Sequence, residues 1–146
     1  MSGNLVGSNY RKMGLQLKGS QLAAILRISS LIINAGEESD RMNKNKEIER
    51  VIMSFGLNFE VLQQIGSLSL KMSPAELDAE IISMNDKAKK WFSALLIKLI
   101  YIGGKYSEKE MSALNKCRTV YNLPIIEAKE ALDIVMDYYL YGDVKD

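Results

Sequence analysis

Apolar residues recur along most of the chain at the three- and four-residue spacing of an α-helix, and this spacing constrains the fold more than any other feature. Apolar residues at i, i+3, i+4 and i+7 lie on one face of a helix, which must be buried against another element. No segment shows the sustained polar–apolar alternation of a half-buried strand. One helical phase is kept by Leu77, Ile81, Met84, Ala88, Phe92, Leu95, Leu96, Leu99 and Ile102. The sequence predicts an all-α bundle of six to seven helices.

Capping residues mark several helix starts. Asn58 can accept a bond from a free backbone amide, and Ser73 with Glu76 forms a capping box in which each side chain meets the other's amide. Ser107 and Glu110 have the same spacing and predict a second capping box. These positions therefore predict that helices begin just after residues 58, 73 and 107.

Two helix boundaries are less sharply defined by the sequence, one between Ser73 and Ile102 and the other at the start of the last helix. The segment that begins at Ser73 is either one helix to Ile102 or two helices that break near Asn85 and Asp86, because periodicity fits both. Pro124 is placed in the first turn of the last helix, where its missing amide costs nothing. Several residues are expected to face the core from the helices after Asn58 and Pro124: Phe59, Leu62, Ile65, Leu68, Ile125, Ala128, Leu132, Val135, Met136 and Tyr139.

The chain divides into one folded domain with polar ends. Its 146 residues, 47% hydrophobic and 25% charged, are the usual size and composition of a single globular domain. Residues 1–19 are rich in glycine and predict a flexible arm, with one short helix around Tyr10 to Leu17. Residues 20–141 form the predicted helical domain, and residues 142–146 a frayed tail.

Composition removes common catalytic sites. The chain has no histidine and one cysteine, Cys117, which excludes Ser-His-Asp and Cys-His nucleophilic sites and makes a zinc site atypical. Glycine-rich nucleotide-binding motifs are missing. We therefore expect a protein that is not an enzyme and has no cofactor. Cys117 is expected in the core, because its neighbours on the same helix face are apolar.

Charge and hydropathy limit the partners and the location. A net charge of +1 gives no long-range attraction to nucleic acid or to an anionic membrane, so no nucleic-acid binding is expected. The longest apolar stretch, Trp91 to Ile102, contains Lys98 and is too short for membrane insertion. One cysteine and no apparent signal peptide fit the cytoplasm.

The two halves of the sequence look alike. A very apolar helix ends in Ala35-Gly36 in the first half and in Gly103-Gly104 in the second, and each is followed by a polar turn and an amphipathic helix. Gly36 and Gly104 are 68 positions apart, whereas Leu57 and Leu123, which follow the amphipathic helices, are 66 apart. This pattern indicates two pseudo-repeated helical hairpins with two extra residues in the first polar loop, although two unrelated helix pairs would look similar.

On these motifs the chain resembles the TerB-like family, which includes tellurite-resistance proteins and the helical N-terminal domain of membrane-anchored J-domain co-chaperones. The resemblance spans roughly residues 20 to 141. Gly104 stands at the family glycine and Glu110 at the family glutamate. In the first half, alignment from Gly36 puts Met42 at the glutamate position, and alignment back from Leu57 puts Lys44 there. The resemblance implies a helical hairpin fold and a role in a stress response or in an assembly near the membrane.

The family's acidic residues would be the ligands of a divalent cation, but this sequence departs from the family there. Gly103 and Ala35 stand where the family has aspartate, so metal binding is not carried over. A carboxylate-based metal protein or metal-dependent enzyme remains the alternative function, because oxygen ligands suit calcium and magnesium. Its weak candidate ligands are Glu37, Glu38, Asp40, Glu108 and Glu110. Helix dipoles and a solvated loop explain the same residues without a metal.

The leading hypothesis is a non-catalytic helical module that binds a protein partner or forms a homo-oligomer. Aromatic residues near the end of the last helix or off the main apolar stripe are candidates for the interface, because such side chains bury large areas at low entropic cost. The candidate interface residues are Trp91, Tyr101, Tyr138 and Tyr141. Ordinary packing in the core is the competing interpretation for each of them.

Overall fold

The computed structural model describes residues 17–53, 57–102 and 107–143, with side chains described as far as Val135 apart from that of Met53. The elements in these ranges are α-helices, with no strand among them, which confirms the predicted all-α class. The seven helices within them are α1 (Gly19–Asn34), α2 (Glu38–Met53), α3 (Phe59–Lys71), α4 (Pro74–Ile82), α5 (Asp86–Tyr101), α6 (Glu108–Tyr121) and α7 (Ala128–Asp143).

Helices α1 and α5 form the centre of the bundle. Both are apolar on most of their surface, and α5 is buried at almost every position from Ala88 to Ile100. Helix α1 contacts every helix from α2 to α6, while α5 packs most extensively against α7. Because each fully buried large apolar side chain contributes about 1.5–3 kcal/mol, these two helices supply much of the stabilising burial.

The helices follow the same order in both halves. Helix α1 packs against α2 and α3, and α5 packs against α6 and α7 in the corresponding way, with α4 between the two sets. The hairpin repeat predicted from the sequence therefore matches the order and packing partners of the helices. The buried faces of α1 and α5 bring the two halves together into one core.

The structure separates α4 from α5, which decides between the two interpretations of this segment. The Asn85 side chain accepts a hydrogen bond from the Ala88 amide at 2.8 Å and so caps α5. The predicted cap at Asn58 and the capping box of Ser73 and Glu76 are present. Capping therefore divides a segment whose apolar periodicity is continuous.

The last helix begins later than predicted, at Ala128 instead of Pro124. Asn122 ends α6 in the left-handed conformation, and Ser93 on α5 then donates a hydrogen bond to the Pro124 carbonyl at 2.7 Å. This contact holds the connection against α5 and turns Ile126 into the core. Four residues expected in the core are exposed instead: Phe59, Leu68, Ile125 and Leu132.

Some predictions fall outside the described residues. These are the short helix around Tyr10 to Leu17, apart from Leu17 itself, the Gly103-Gly104 turn, the core positions of the Met136 and Tyr139 side chains, and residues 144–146 of the predicted tail. Leu17 is fully buried and Gly19 already belongs to α1, so ordered packing begins within the segment predicted as an arm. In the described ranges, no helix combines the length and apolar character needed to span a membrane.

Asn122 is expected to tolerate glycine and to reject β-branched residues, because its φ of 54° lies in the left-handed region. Asn122→Val should lower the free energy of unfolding by about 1–2 kcal/mol, and Asn122→Gly should leave it nearly unchanged. Urea unfolding followed by circular dichroism measures both, with the denaturant slope as the check on two-state behaviour. Equal stability of the two variants would contradict the conformational argument.

Candidate functional site

A buried ion pair joins the second helices of the two halves. Lys44 on α2 donates to both carboxylate oxygens of Glu110 on α6, at 2.8 Å to Oε1 and 3.0 Å to Oε2. A third bond, of 3.2 Å, goes from the Lys44 ammonium to the Ile100 carbonyl on α5. Each of the two side chains is 2% exposed. The three acceptors satisfy the ammonium, which makes burial of a charged lysine tolerable.

Gly36, in the turn between α1 and α2, lies directly against the Glu110 carboxylate. A Cβ atom added at Gly36 would be 2.6 Å from Cδ of Glu110, closer than real contacts allow. The absence of a side chain at position 36 therefore makes room for the buried carboxylate. Gly36, which the sequence predicts to end α1, therefore also leaves the space that the Glu110 side chain occupies in the ion pair.

The predicted capping box at α6 is wrong in one of its two bonds. Ser107 accepts the Glu110 amide at 3.2 Å, as expected for an N-cap. The Glu110 side chain does not return to Ser107, because the buried Lys44 ammonium binds both of its oxygens. Lys44 and Glu110 are 66 positions apart, the same offset as Leu57 and Leu123. The alignment back from Leu57 puts Lys44 at the position that corresponds to Glu110, and these two residues are in direct contact in the structure.

The remaining acidic candidates line one surface cleft beside this ion pair. Glu37, Glu38 and Asp40 border it from the start of α2, and Glu108 borders it from the start of α6. The cleft has a volume of about 760 Å³. Arg41 lies in its wall and donates to the carbonyls at the end of α1, at 2.9 Å to Asn34 and 3.3 Å to Gly36. The cleft is therefore the junction of three helix ends.

The acidic residues of this cleft do not form a metal-binding cluster. Among the residues that the structure describes, no group of three or more Asp, Glu or Cys side chains is close enough to hold an ion. Glu38 and Asp40 lie in the first turn of α2, and Glu108 and Glu110 in the first turn of α6. Negative charge is favourable there because of the helix dipole, which accounts for these positions without a ligand.

The aromatic interface candidates are dispersed. Trp91 is 2% exposed, which favours the competing interpretation, packing in the core, over a place in an interface. It lies off the main apolar stripe of α5, but α5 is surrounded by other helices, and a second stripe is buried as well. Tyr101 is 37% exposed. The side chains of Tyr138 and Tyr141 lie outside the described part of the chain.

An apolar groove lies between α1, α4 and α6. Its volume is about 410 Å³. Ile28, Leu31 and Ile32 form the wall from α1, and Leu31 is 51% exposed. The rest of the lining comes from the segment before α4, from α4 and from α6: Met72, Pro74, Leu77, Asp78, Ala113, Lys116, Cys117 and Tyr121, with Arg27 completing the α1 wall. The groove is therefore a mostly apolar surface that is open to solvent.

A hydrogen bond ties two walls of the groove together. The Tyr121 hydroxyl on α6 donates to Oδ1 of Asp78 on α4 at 2.7 Å. Burial, followed by this bond to the Asp78 carboxylate, raises the pKa of Tyr121 well above its ordinary value. Burial also raises the pKa of the half-buried Cys117 thiol, which is partly exposed and not fully in the core as predicted. At neutral pH the groove therefore presents a neutral phenol and a neutral thiol.

The sequence pattern did not reveal this groove, because its residues have the spacing of ordinary core positions. The one available signal was the second apolar side of α1, formed by Ile28 and Leu31. A helix that is apolar on several sides needs neighbours on all of them, and periodicity does not show which side lacks one. Lys44 was likewise visible only through the alignment from Leu57.

The described part of the chain defines an all-α protein of seven helices in two similarly packed halves. No family model matches the sequence, and no curated protein matches it. Its fold is similar to the crystal structure of a protein of unknown function, PG1108, from Porphyromonas gingivalis W83, at a TM-score of 0.68. The two are 19% identical, over 82% of this chain and 90% of that chain. This likeness shows a shared fold alone, and the TerB-like resemblance stays a prediction.

Removing one member of the buried ion pair should cost more than removing both. Lys44→Met or Glu110→Met leaves a buried charge without a partner and should lower the free energy of unfolding by about 3–5 kcal/mol. The double variant leaves no buried charge and should recover most of that loss. Urea unfolding of the four proteins gives the coupling energy between the two positions. A double variant as unstable as the summed single variants would contradict the pairing.

The raised pKa of Tyr121 should appear in the stability at alkaline pH. The folded state keeps the phenol protonated at pH values where the unfolded chain has lost the proton, so this stabilisation is complete below about pH 10 and is lost as the pH rises further. Tyr121→Phe lacks this dependence. We expect the wild-type unfolding midpoint to fall more steeply above pH 10 than that of the variant. Parallel pH curves would show that Tyr121 does not titrate abnormally.

Proposed function

We propose that this protein is a non-catalytic helical module that binds another protein through the groove between α1, α4 and α6. The observation that carries the proposal is the half-exposed Leu31 in a wall of buried neighbours, Ile28 and Ile32. Leaving apolar surface in water is unfavourable, and a partner that covers it recovers that free energy. The groove thus has the character of the apolar centre of an interface.

The chemistry of the groove suits binding better than catalysis. Its cysteine has a raised pKa, so the thiolate that would act as a nucleophile is scarce at neutral pH. The pKa of its tyrosine, Tyr121, is also raised, and the neutral hydroxyl donates a hydrogen bond to Asp78. Met72 and Cys117 add polarizable side chains that adapt to a partner's shape. These groups give the groove contact area and adaptability in place of reactivity.

The biological setting is proposed from the TerB-like resemblance. A role in a stress response and a cytoplasmic location both fit a small helical module of this kind. The alternative function, a carboxylate-based divalent-metal protein or metal-dependent enzyme, has weaker support. Lys44 holds both oxygens of Glu110, and the other candidate carboxylates of the acidic cleft do not converge within the described ranges.

Substitution of Leu31 should abolish partner binding without unfolding the protein. Leu31→Asp places a charge in the apolar wall of the groove, at a position that is half exposed and therefore tolerant of a polar side chain. We expect at least tenfold weaker retention of the partner, the effect of losing an interface hot spot. The measurement is quantitative affinity capture from an extract of the native organism, with the full-length wild type and variant as baits.

Leu70→Asp is the matched control for this experiment. Leu70 lies on α3, is 73% exposed and does not line the groove, so the same chemical change is made on a different surface. Proteins retained by the wild type and the control but lost with Leu31→Asp are groove partners. If every captured protein is retained equally by both variants, the groove is not the binding surface.

A further inference from the structure

Two basic residues in different walls of the apolar groove have no ionic partner within the described part of the chain. Arg27 belongs to the α1 wall, one helical turn before Leu31, and Lys116 belongs to the α6 wall, one turn after Ala113. Neither makes an ion pair with any described residue. Asp78 is the one carboxylate that lines the groove in the described chain, and the Tyr121 hydroxyl donates to it. The rim therefore offers two cations for a ligand.

The secondary structure of the walls limits what can occupy the groove. In the ranges that the structure describes, every element is a helix, and no strand edge is available to pair with an extended peptide. An extended peptide would have to bury its own backbone amides and carbonyls without partners, which is costly. A helix satisfies these groups internally and presents only side chains. Apolar grooves between helices are accordingly suited to an amphipathic helix.

We infer that the groove binds an amphipathic helix of another protein, whose apolar stripe carries carboxylates on both flanks to meet Arg27 and Lys116. This inference rests on the proposed function and adds the chemical character of the partner. The apolar stripe covers Leu31 and its neighbours, and one flank faces each wall. The charges fix the orientation of the helix and exclude partners with basic flanks, which is the usual contribution of rim charges to an interface.

Other occupants fit these charges less well. A second copy that used the same groove about a twofold axis would bring two copies of the positively charged rim together, which is repulsive. Residues 1–16 contain Arg11 and Lys12 and no acidic residue, so their charge does not complement the rim. An anionic membrane would match the charge, but a flat surface does not fill a groove that is recessed between three helices.

The test begins with selection of helical peptides on the full-length protein. A display library varies the apolar stripe among hydrophobic residues and each flank among Glu, Gln and Lys in equal proportion. We expect enriched peptides to carry Glu on both flanks and to shift the NMR methyl signals of Ile28 and Leu31. The best peptide is then remade with Gln flanks and with Lys flanks, and fluorescence anisotropy measures the affinity of each form.

Charge variants of the protein identify the contacts. Arg27→Gln and Lys116→Gln should each weaken the Glu-flanked peptide about two- to fivefold, the range of a solvent-accessible ion pair, and should leave the Gln-flanked peptide unchanged. The preference for Glu over Gln should shrink at high salt. Lys87→Gln is the matched control, because it removes one positive charge at an exposed position outside the groove.

The outcomes separate this inference from the proposed function. If the enriched peptides bind the groove but carry Gln or Lys on their flanks, the inference of an acidic partner is wrong and the proposed binding function of the groove still holds. If no enriched peptide shifts the NMR methyl signals of Ile28 and Leu31, both the inference and the proposed function are wrong.

Three further results would assign the groove to another occupant and overturn the inference. The first is self-association in sedimentation velocity that Leu31→Asp abolishes, which would indicate a second copy. The second is tighter peptide binding after Leu5→Asp in the full chain, which would indicate competition from residues 1–16. The third is displacement of the Glu-flanked peptide by phosphatidylglycerol vesicles but not by phosphatidylcholine vesicles.

Discussion

The buried bond between Lys44 and Glu110 is the contact on which the arrangement of the two halves depends. It joins α2 to α6, and its third acceptor, the Ile100 carbonyl, adds α5. Apolar packing is tolerant of small sliding movements, whereas an ammonium group with three fixed acceptors has one favourable position. The pair therefore specifies the register of the halves, while the surrounding apolar burial supplies the stabilisation. Gly36 belongs to the same unit, because a side chain there would collide with the carboxylate.

The helix ends at this junction account for the positions of the acidic residues around the ion pair. The charges that the sequence groups around residues 37–40 and 108–110 lie at the beginnings of α2 and α6, where exposed amides favour carboxylates. Glu110 is turned inward to Lys44, and Arg41 binds the carbonyls that end α1. Lys44 and Arg41 thus supply positive charge at this junction, and Arg41 satisfies two carbonyls at the end of α1.

The groove follows from the central position of α1. A helix that is apolar on most of its surface needs neighbours on every side, and α1 contacts five other helices. Its neighbours leave one strip uncovered between α4 and α6, where Leu31 remains half exposed. Tyr121 and Asp78 hold the α4 and α6 walls together, so the groove is an organised surface before any partner arrives. Such preorganisation lowers the entropic cost of binding.

Features that depend on the local rules of helix formation were predictable from single segments of the sequence. The caps at Asn58 and Ser73, the core stripe of α5 and the all-α class each depend on residues close in sequence. Other features, such as the start of the last helix and the burial of Trp91, depend on contacts between residues that are distant in sequence. Ser93 holds Pro124, and the last helix begins later than Pro124. The helices around α5 bury Trp91, for which the sequence left both an interface and the core open.

The sequence alone therefore determined where most helices form and which residues are apolar enough to need burial, since both depend on neighbours within a few positions. Only the tertiary structure decided which partners those helices take. It placed Lys44 beside Glu110, and it left Leu31 with Arg27 and Lys116 beside it at an open groove. The physical reason is that helical periodicity records which face of a helix is apolar, whereas contact between distant segments depends on how all the faces pack at once.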